Sequence, residues 1–325
     1  MNRRQFLTRS SIAASAAALP EIALASSEVA KEPAAETVVK SLFDSLTESQ
    51  RKELHFAFDD SLRTKISNNW HITKPRIGSF LNDDQNAMVR EIFLKAHSEE
   101  YAETVLEQVI HDSGKKGFED SSIALFGEPG SGDFQFVLTG RHCTRRVDGD
   151  SVKGKAFGGP IFYGHAADGF YEGPTHPGNA YWFQAERANG VYEMLDGKQR
   201  EAALLEHEPG DEASTIKLRR TAGDLPGIAY SDLSSDQQGE VLAVLDDLLL
   251  PFREEDRKES LALIKKAGLE NLHLSFYREN DLGNDGVWDN WRLEGPHMVW
   301  YFRGAPHVHT WVHISDPDLP RPPRS

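Results

Sequence analysis

A single cysteine, Cys143, stands in 325 residues. An intrachain disulfide is therefore excluded, as is any metal site built from several thiolates. No apolar run reaches the roughly 18 residues a membrane-spanning helix needs. The familiar catalytic signatures are missing too: there is no G-x-S-x-G elbow, no phosphate loop ending in Gly-Lys-Ser/Thr, no dinucleotide glycine fingerprint and no H-E-x-x-H. Gly127, Gly130 and Gly132 have no Lys-Ser/Thr nearby and read as a turn. Cys143 follows His142, but neighbouring residues of a strand point to opposite faces, so the expectation is a buried, inert thiol. Positive charge is scarce: 36 Lys and Arg stand against 51 Asp and Glu, a formal net charge of −15. Such a chain repels phosphate backbones and anionic lipid, so neither nucleic acid nor a membrane surface is an expected partner.

The first residues carry Arg3-Arg4-Gln5-Phe6-Leu7, a weakly apolar stretch from Ser10 to Pro20, and Ala23-Leu24-Ala25. Twin arginines, a modest Ala-rich segment and a small-x-small site resemble a twin-arginine (Tat) export signal. The expectation is cleavage after Ala25 and a periplasmic or secreted destination. Beyond that point 33 basic and 50 acidic side chains remain, a net charge of −17. No cysteine follows the apolar segment, so no lipoprotein anchor is expected.

Residues 26–36 read as a linker and 316–325 as a Pro-rich tail. Between them, helical periodicity marks 83–114, 181–192 and 235–250, whereas alternation and turn residues mark strands over 121–164 and 271–314. Four helix starts share one formula, Leu, a capping residue, two arbitrary residues, then Gln: Leu46-Thr47-x-x-Gln50, Leu81-Asn82-x-x-Gln85, Leu195-Asp196-x-x-Gln199 and Leu233-Ser234-x-x-Gln237. This is the capping box, in which the cap oxygen accepts from the N3 amide and the Gln reaches back to the cap amide. The polar residues that follow, Arg51, Asn86, Arg200 and Gln238, leave no hydrophobic staple. The paired spacing, and Gly140-Arg141-His142 matched by Gly295-Pro296-His297, suggest an α+β fold of two pseudo-repeated halves. Each would hold two or more helices followed by antiparallel strands, over about 40–178 and 190–315 of a single domain at 37–315.

Histidine carries the chemistry. In Pro306-His307-Val308-His309-Thr310-Trp311-Val312-His313-Ile314, alternation places His307, His309, Trp311 and His313 on one face. Residues i and i+2 of a strand lie roughly 6.5–7 Å apart, so two imidazoles can converge on one ion. His297–Arg303 reads as the other arm of a hairpin turned by Gly304-Ala305-Pro306, and the repeat places His142 where His297 sits in the other half. A site of His142, His307 and His309 would suit Zn²⁺ or Cu²⁺, with His313 or Glu128 as a proton carrier. Asp133 and Glu294 read as surface charge, His165 and His176 as the rim of a Gly/Pro-rich loop. His55, His97, His111 and His207 fall on helical stretches and take no role.

Leu125-Phe126-Gly127-Glu128-Pro129-Gly130, Gly140-Arg141-His142 and Gly158-Gly159-Pro160-Ile161-Phe162-Tyr163-Gly164-His165 resemble blocks of the "domain of unknown function 3500" family. Leu225-Pro226-Gly227, Asp232-Leu233, Gly295-Pro296 and His307-Val308-His309 are similar to its later blocks, so the resemblance spans roughly 40–315. It implies a His at 142 and a His-x-His at 307 and 309. It also implies an acidic residue shortly after the Gly-Pro, where Met298 and Val299 stand instead. It implies no activity. The leading expectation is an exported metal-binding protein, hydrolytic if catalytic. Two alternatives are a non-catalytic module binding a small ligand or glycan on an aromatic surface (Trp288, Trp291, Trp300, Trp311, Tyr301), and a structural protein with a solvated His face. Oligomeric state is not legible.

Overall fold

The computed structural model describes residues 34–165, 179–219, 221, 223, 225–282 and 286–320. The expected export signal, most of the linker, His176 and the last five residues of the tail lie outside them. Helix α1 (Ala35–Ser45) already occupies the end of the expected linker, burying Val38, Val39, Leu42 and Phe43. Then come α2 (Glu48–Leu54), β1 (His55–Phe56), α3 (Ile77–Phe80), α4 (Asp83–Lys95) and α5 (Ala102–Ser113). Strands β2 (Ser122–Gly127), β3 (Phe134–Gly140), β4 (Cys143–Val147) and β5 (Ile161–Gly164) follow. The chain continues with α6 (Trp182–Met194), α7 (Gly197–Ala203), β6 (Leu204–Leu205), β7 (Ile228–Ala229), α8 (Ser235–Leu249) and α9 (Glu254–Ala267). It finishes on β8 (His273–Tyr277), β9 (Asn290–Gly295), β10 (Met298–Arg303) and β11 (His309–Ile314).

All four expected capping boxes form, at Thr47, Asn82, Asp196 and Ser234. Their glutamines do more than cap. Gln50 and Gln85 exchange amide hydrogen bonds of 2.9 and 3.1 Å, and Gln199 and Gln237 do the same at 3.0 and 2.8 Å. Gln85 also donates to Ser45 O and Gln237 to Met194 O. The residues after each Gln, polar where a staple would be apolar, bind carbonyls of the preceding chain. Arg51 reaches Phe43 O, Asn86 reaches Leu81 O, Arg200 reaches Glu193 O and Gln238 reaches Leu233 O.

The described strands make one mixed sheet of eleven, in the order β1-β2-β3-β4-β5-β11-β10-β9-β8-β6, with β7 also on β8. Its middle is the antiparallel pair β5–β11, where Gly164 opposes His309 and Ile161 opposes Val312. Outward from there each side repeats antiparallel neighbours until a two-residue strand adds in parallel, β1 on β2 and β6 on β8. The alternation expected for β11 holds: Val308, Val312 and Ile314 join the large core under the helices. Trp311 joins Phe162, Ile216, Tyr277, Val299 and Tyr301 on the other face. That second face is covered as well, by chain from the 56–72 and 205–218 segments.

Covering both faces removes the expected aromatic surface. Trp291, Trp300, Trp311 and Tyr301 are at most 1% exposed, and only Trp288 of the group is partly open. Glu294, expected on the surface, is fully buried and pairs with Arg292 at 2.7 Å. Cys143 is buried, and burial pushes its thiol pKa up, as an inert residue requires. No helix among the described residues is long and apolar enough to cross a membrane.

Candidate metal centre

The β3–β4 turn and the start of β11, on either side of the end of β5, build the site. His142 lies in the β3–β4 turn with φ of 51°, left-handed backbone that a non-glycine residue takes only when its surroundings hold it. Its amide donates to Asn68 O at 3.1 Å, and its Nδ1 donates to Asp112 Oδ2 at 2.9 Å. Asp112 comes from the last turn of α5, is 5% exposed, and is steadied by Gln108. His309 opens β11 opposite Gly164. A Cβ at Gly164 would lie 2.0 Å from Val308 O, so only glycine allows the chain to pass there and present both His307 and His309.

Asp211 holds His309. Its Oδ2 accepts from His309 Nδ1 at 2.7 Å, from Arg303 Nη1 at 2.9 Å and from Asn68 Nδ2 at 3.2 Å, and its Oδ1 accepts from Trp311 Nε1 at 2.8 Å. The segment carrying Asp211 is tied down by Glu208, which accepts from Asn280, Asn290 and the Tyr301 hydroxyl. Burial alone would push Asp211 up, but the His309 bond, the Arg303 charge and the Trp311 donor together hold it well below the usual carboxylate range.

With Nδ1 of His142 and of His309 donating to Asp112 and Asp211, their Nε2 lone pairs are left for a ligand; Arg303 Nη2 also lies 3.0 Å from His309 Nδ1. His307 Nε2 lies 2.9 Å from His309 Nε2, and ring centroids of His142 stand 5.0 and 4.7 Å from those of His307 and His309. One nitrogen from each of the three falls within 4.8 Å of the others. Zn–N bonds of ~2.0–2.1 Å in a tetrahedron require nitrogens about 3.3 Å apart, so the widest separation in the cluster would close by up to about 1.5 Å around an ion. Burial, then the Asp211 bond working against it and the Arg303 charge, leave the His309 pKa lowered to about 3. Burial, then the His142 and Arg303 charges, lower His307 to about 4. Both rings are therefore neutral at pH 7, the state that coordinates a metal.

The structure thus brings His142, His307 and His309 together. It leaves the expected proton carriers outside. Glu128 is exposed in the β2–β3 turn, at the opposite end of β3 from His142, and accepts from Ser131. His313 shares the face of His309 but lies four residues on, about 13 Å along the strand, with Nδ1 against Ile216 O. His165 is fully buried beside β11, its amide bonded to Val308 O, and is no rim residue. His97 is buried and accepts from Arg145 Nε. Sequence reasoning missed Asp112, Asp211, Asn68 and Arg303. Asp112 sits four residues after Gln108 on an amphipathic helix, and nothing in that pattern marks it.

A family model described as a protein of unknown function (DUF3500) matches residues 28–318. No curated protein and no solved structure matches.

Proposed function

The chain belongs to that family, whose description carries no activity, so we propose a function from the site alone: an exported metal-binding protein whose ion is held by His142, His307 and His309. The observation that carries this reading is that two of the three imidazoles are held by carboxylates through Nδ1, within a cluster where one nitrogen of each ring lies within 4.8 Å of the others. Ligating histidines commonly hold a carboxylate in this way, which fixes the tautomer and raises the basicity of the ligating nitrogen. Neutral nitrogen donors suit Zn²⁺ or Cu²⁺. Three protein ligands leave a position open, and there the ion would supply Lewis acidity for a hydrolytic step if the centre is catalytic. The chain's own part is to orient the rings, to keep Asp211 ionised, and to exclude water from the buried sides of His142 and His309.

Elemental analysis of the purified chain tests the reading. The expected result is one divalent metal per chain, lost in a His307→Ala/His309→Ala variant and in His142→Ala but retained in His111→Ala. Metal-free wild type that takes up no Zn²⁺ or Cu²⁺ on dialysis would end it.

Two further proposals accompany it. Export through the twin-arginine route rests on Arg3, Arg4 and the Ala23-Leu24-Ala25 site. Internal duplication is supported by the reciprocal Gln50–Gln85 and Gln199–Gln237 amides, and by a sheet whose order reads alike outward from β5–β11. On that reading the centre is shared, since His142 and Asp112 come from one half and His307, His309 and Asp211 from the other.

A further inference from the structure

Three neutral imidazoles leave a bound dication its full charge, and what surrounds it is then decided by the nearby ions. Two carboxylates stand behind the rings, Asp112 and Asp211, and Asp211 is already paired with Arg303. A second guanidinium, Arg141, precedes His142, and its backbone is pinned by a bridge to Asn69. Arg141 is exposed and, among the described residues, forms no ion pair. A dication, Arg141 and Arg303 against two carboxylates leave a local excess of two positive charges, in a chain whose formal net charge is −15. Of the three histidines, His142 and His309 are 6% and 5% exposed, and only His307 is partly open. The open coordination position is therefore reached past His307, the ligand whose imidazole feels the Arg141 charge.

Resting on the metal reading above, we propose that this position takes a small carboxylate, held between the ion and the Arg141 guanidinium. The planar guanidinium fork matches a carboxylate in two parallel hydrogen bonds. The attraction acts at contact, whereas the acidic surface repels at longer range and more strongly as ligand charge rises. A monoanion is thus favoured over a phosphate dianion.

The full chain loaded with Co²⁺, whose visible absorption reports its coordination, tests this by titration with acetate and with inorganic phosphate. Acetate is expected to change the spectrum saturably. Arg141→Gln should weaken acetate about 3- to 10-fold with Co²⁺ content unchanged. Arg278→Gln, an exposed arginine that lies over Trp288, should leave acetate binding as in wild type. Stoichiometric Co²⁺ with a spectrum indifferent to acetate would overturn the carboxylate site alone, as would undiminished acetate binding in Arg141→Gln. Phosphate binding more tightly than acetate would overturn the choice of a monoanion. A chain that takes up no Co²⁺ would remove the metal reading and this inference together.

Discussion

Replacing Gln85 with alanine asks more of the fold than any surface change. The side chain is 1% exposed, and its amide is used at both ends. Nε2 donates to Ser45 O at 3.0 Å and to Gln50 Oε1 at 3.1 Å, while Oε1 accepts from Asn82 N at 3.1 Å and from Gln50 Nε2 at 2.9 Å. Truncation leaves Ser45 O, the Asn82 amide and part of the Gln50 amide without partners. The Asn82 cap survives, because it binds the backbone N of residue 85. Each stranded buried group costs about 1–3 kcal/mol, with Gln50 free to recover part from water, so the expected loss is roughly 2–4 kcal/mol. At ~2.1 cal/mol/K per residue over a domain of about 290 residues, that lowers the melting temperature by roughly 3–7 °C. Gln237→Ala, which strands Met194 O, the Ser234 amide and part of Gln199, should cost the same to within about 1 kcal/mol. The double variant Gln50→Ala/Gln85→Ala should cost less than the sum of its parts, since the two amides serve each other. Denaturant titration and calorimetry measure these. A Gln85→Ala loss below about 0.5 kcal/mol, or strictly additive single variants, would refute the reasoning.

Metal should stabilise the native state by mass action, by about 2.7 kcal/mol at a hundredfold excess over Kd, or roughly 4–5 °C in melting temperature. Chelator should remove that gain from wild type and change nothing in His307→Ala/His309→Ala. Protons should compete with metal at His307 and His309 only near pH 4 and below, not at the ordinary imidazole value, and a metal-occupancy curve against pH reads this directly. For the metal-free chain the sign is fixed by the same lowered values. Unfolded imidazoles take protons near pH 6.5 and the folded ones do not, so stability falls as pH drops from about 6.5 toward 4, measurable by denaturation at each pH. Replacing Arg3 and Arg4 by Lys should leave the precursor in the cytoplasm, seen by fractionation, if the paired guanidinium groups are read for export.

Much of this was legible because it depends on short range. The capping glutamines announce themselves by spacing, and the alternation of 308–314 is a property of one strand. His142 was reached from the match of Gly140 to Gly295 and from the family resemblance, not from its own neighbourhood. Asp112 and Asp211 were invisible because an outer carboxylate needs only to arrive in space, and these arrive from a helix end and a connecting segment. The aromatic residues misled for a related reason. Alternation says which side chains share a face but not what lies above it, and here both faces are covered, so Trp311 and Tyr301 are core. Glu294 misled likewise, because Arg292, two residues before it on the same strand, makes its burial tolerable.

The central pair of strands carries a consequence for the order of folding. Strand β5 ends at Gly164, but the strand that closes its edge begins at His309. At a synthesis rate of ~5–20 residues per second, the intervening stretch takes roughly 7 to 30 seconds to appear. Through that interval Ile161, Phe162 and Tyr163 present an apolar edge with unpaired amides, the geometry on which neighbouring chains pair wrongly. A chain cut short before His309 would lose sheet closure and the histidine pair in the same stroke.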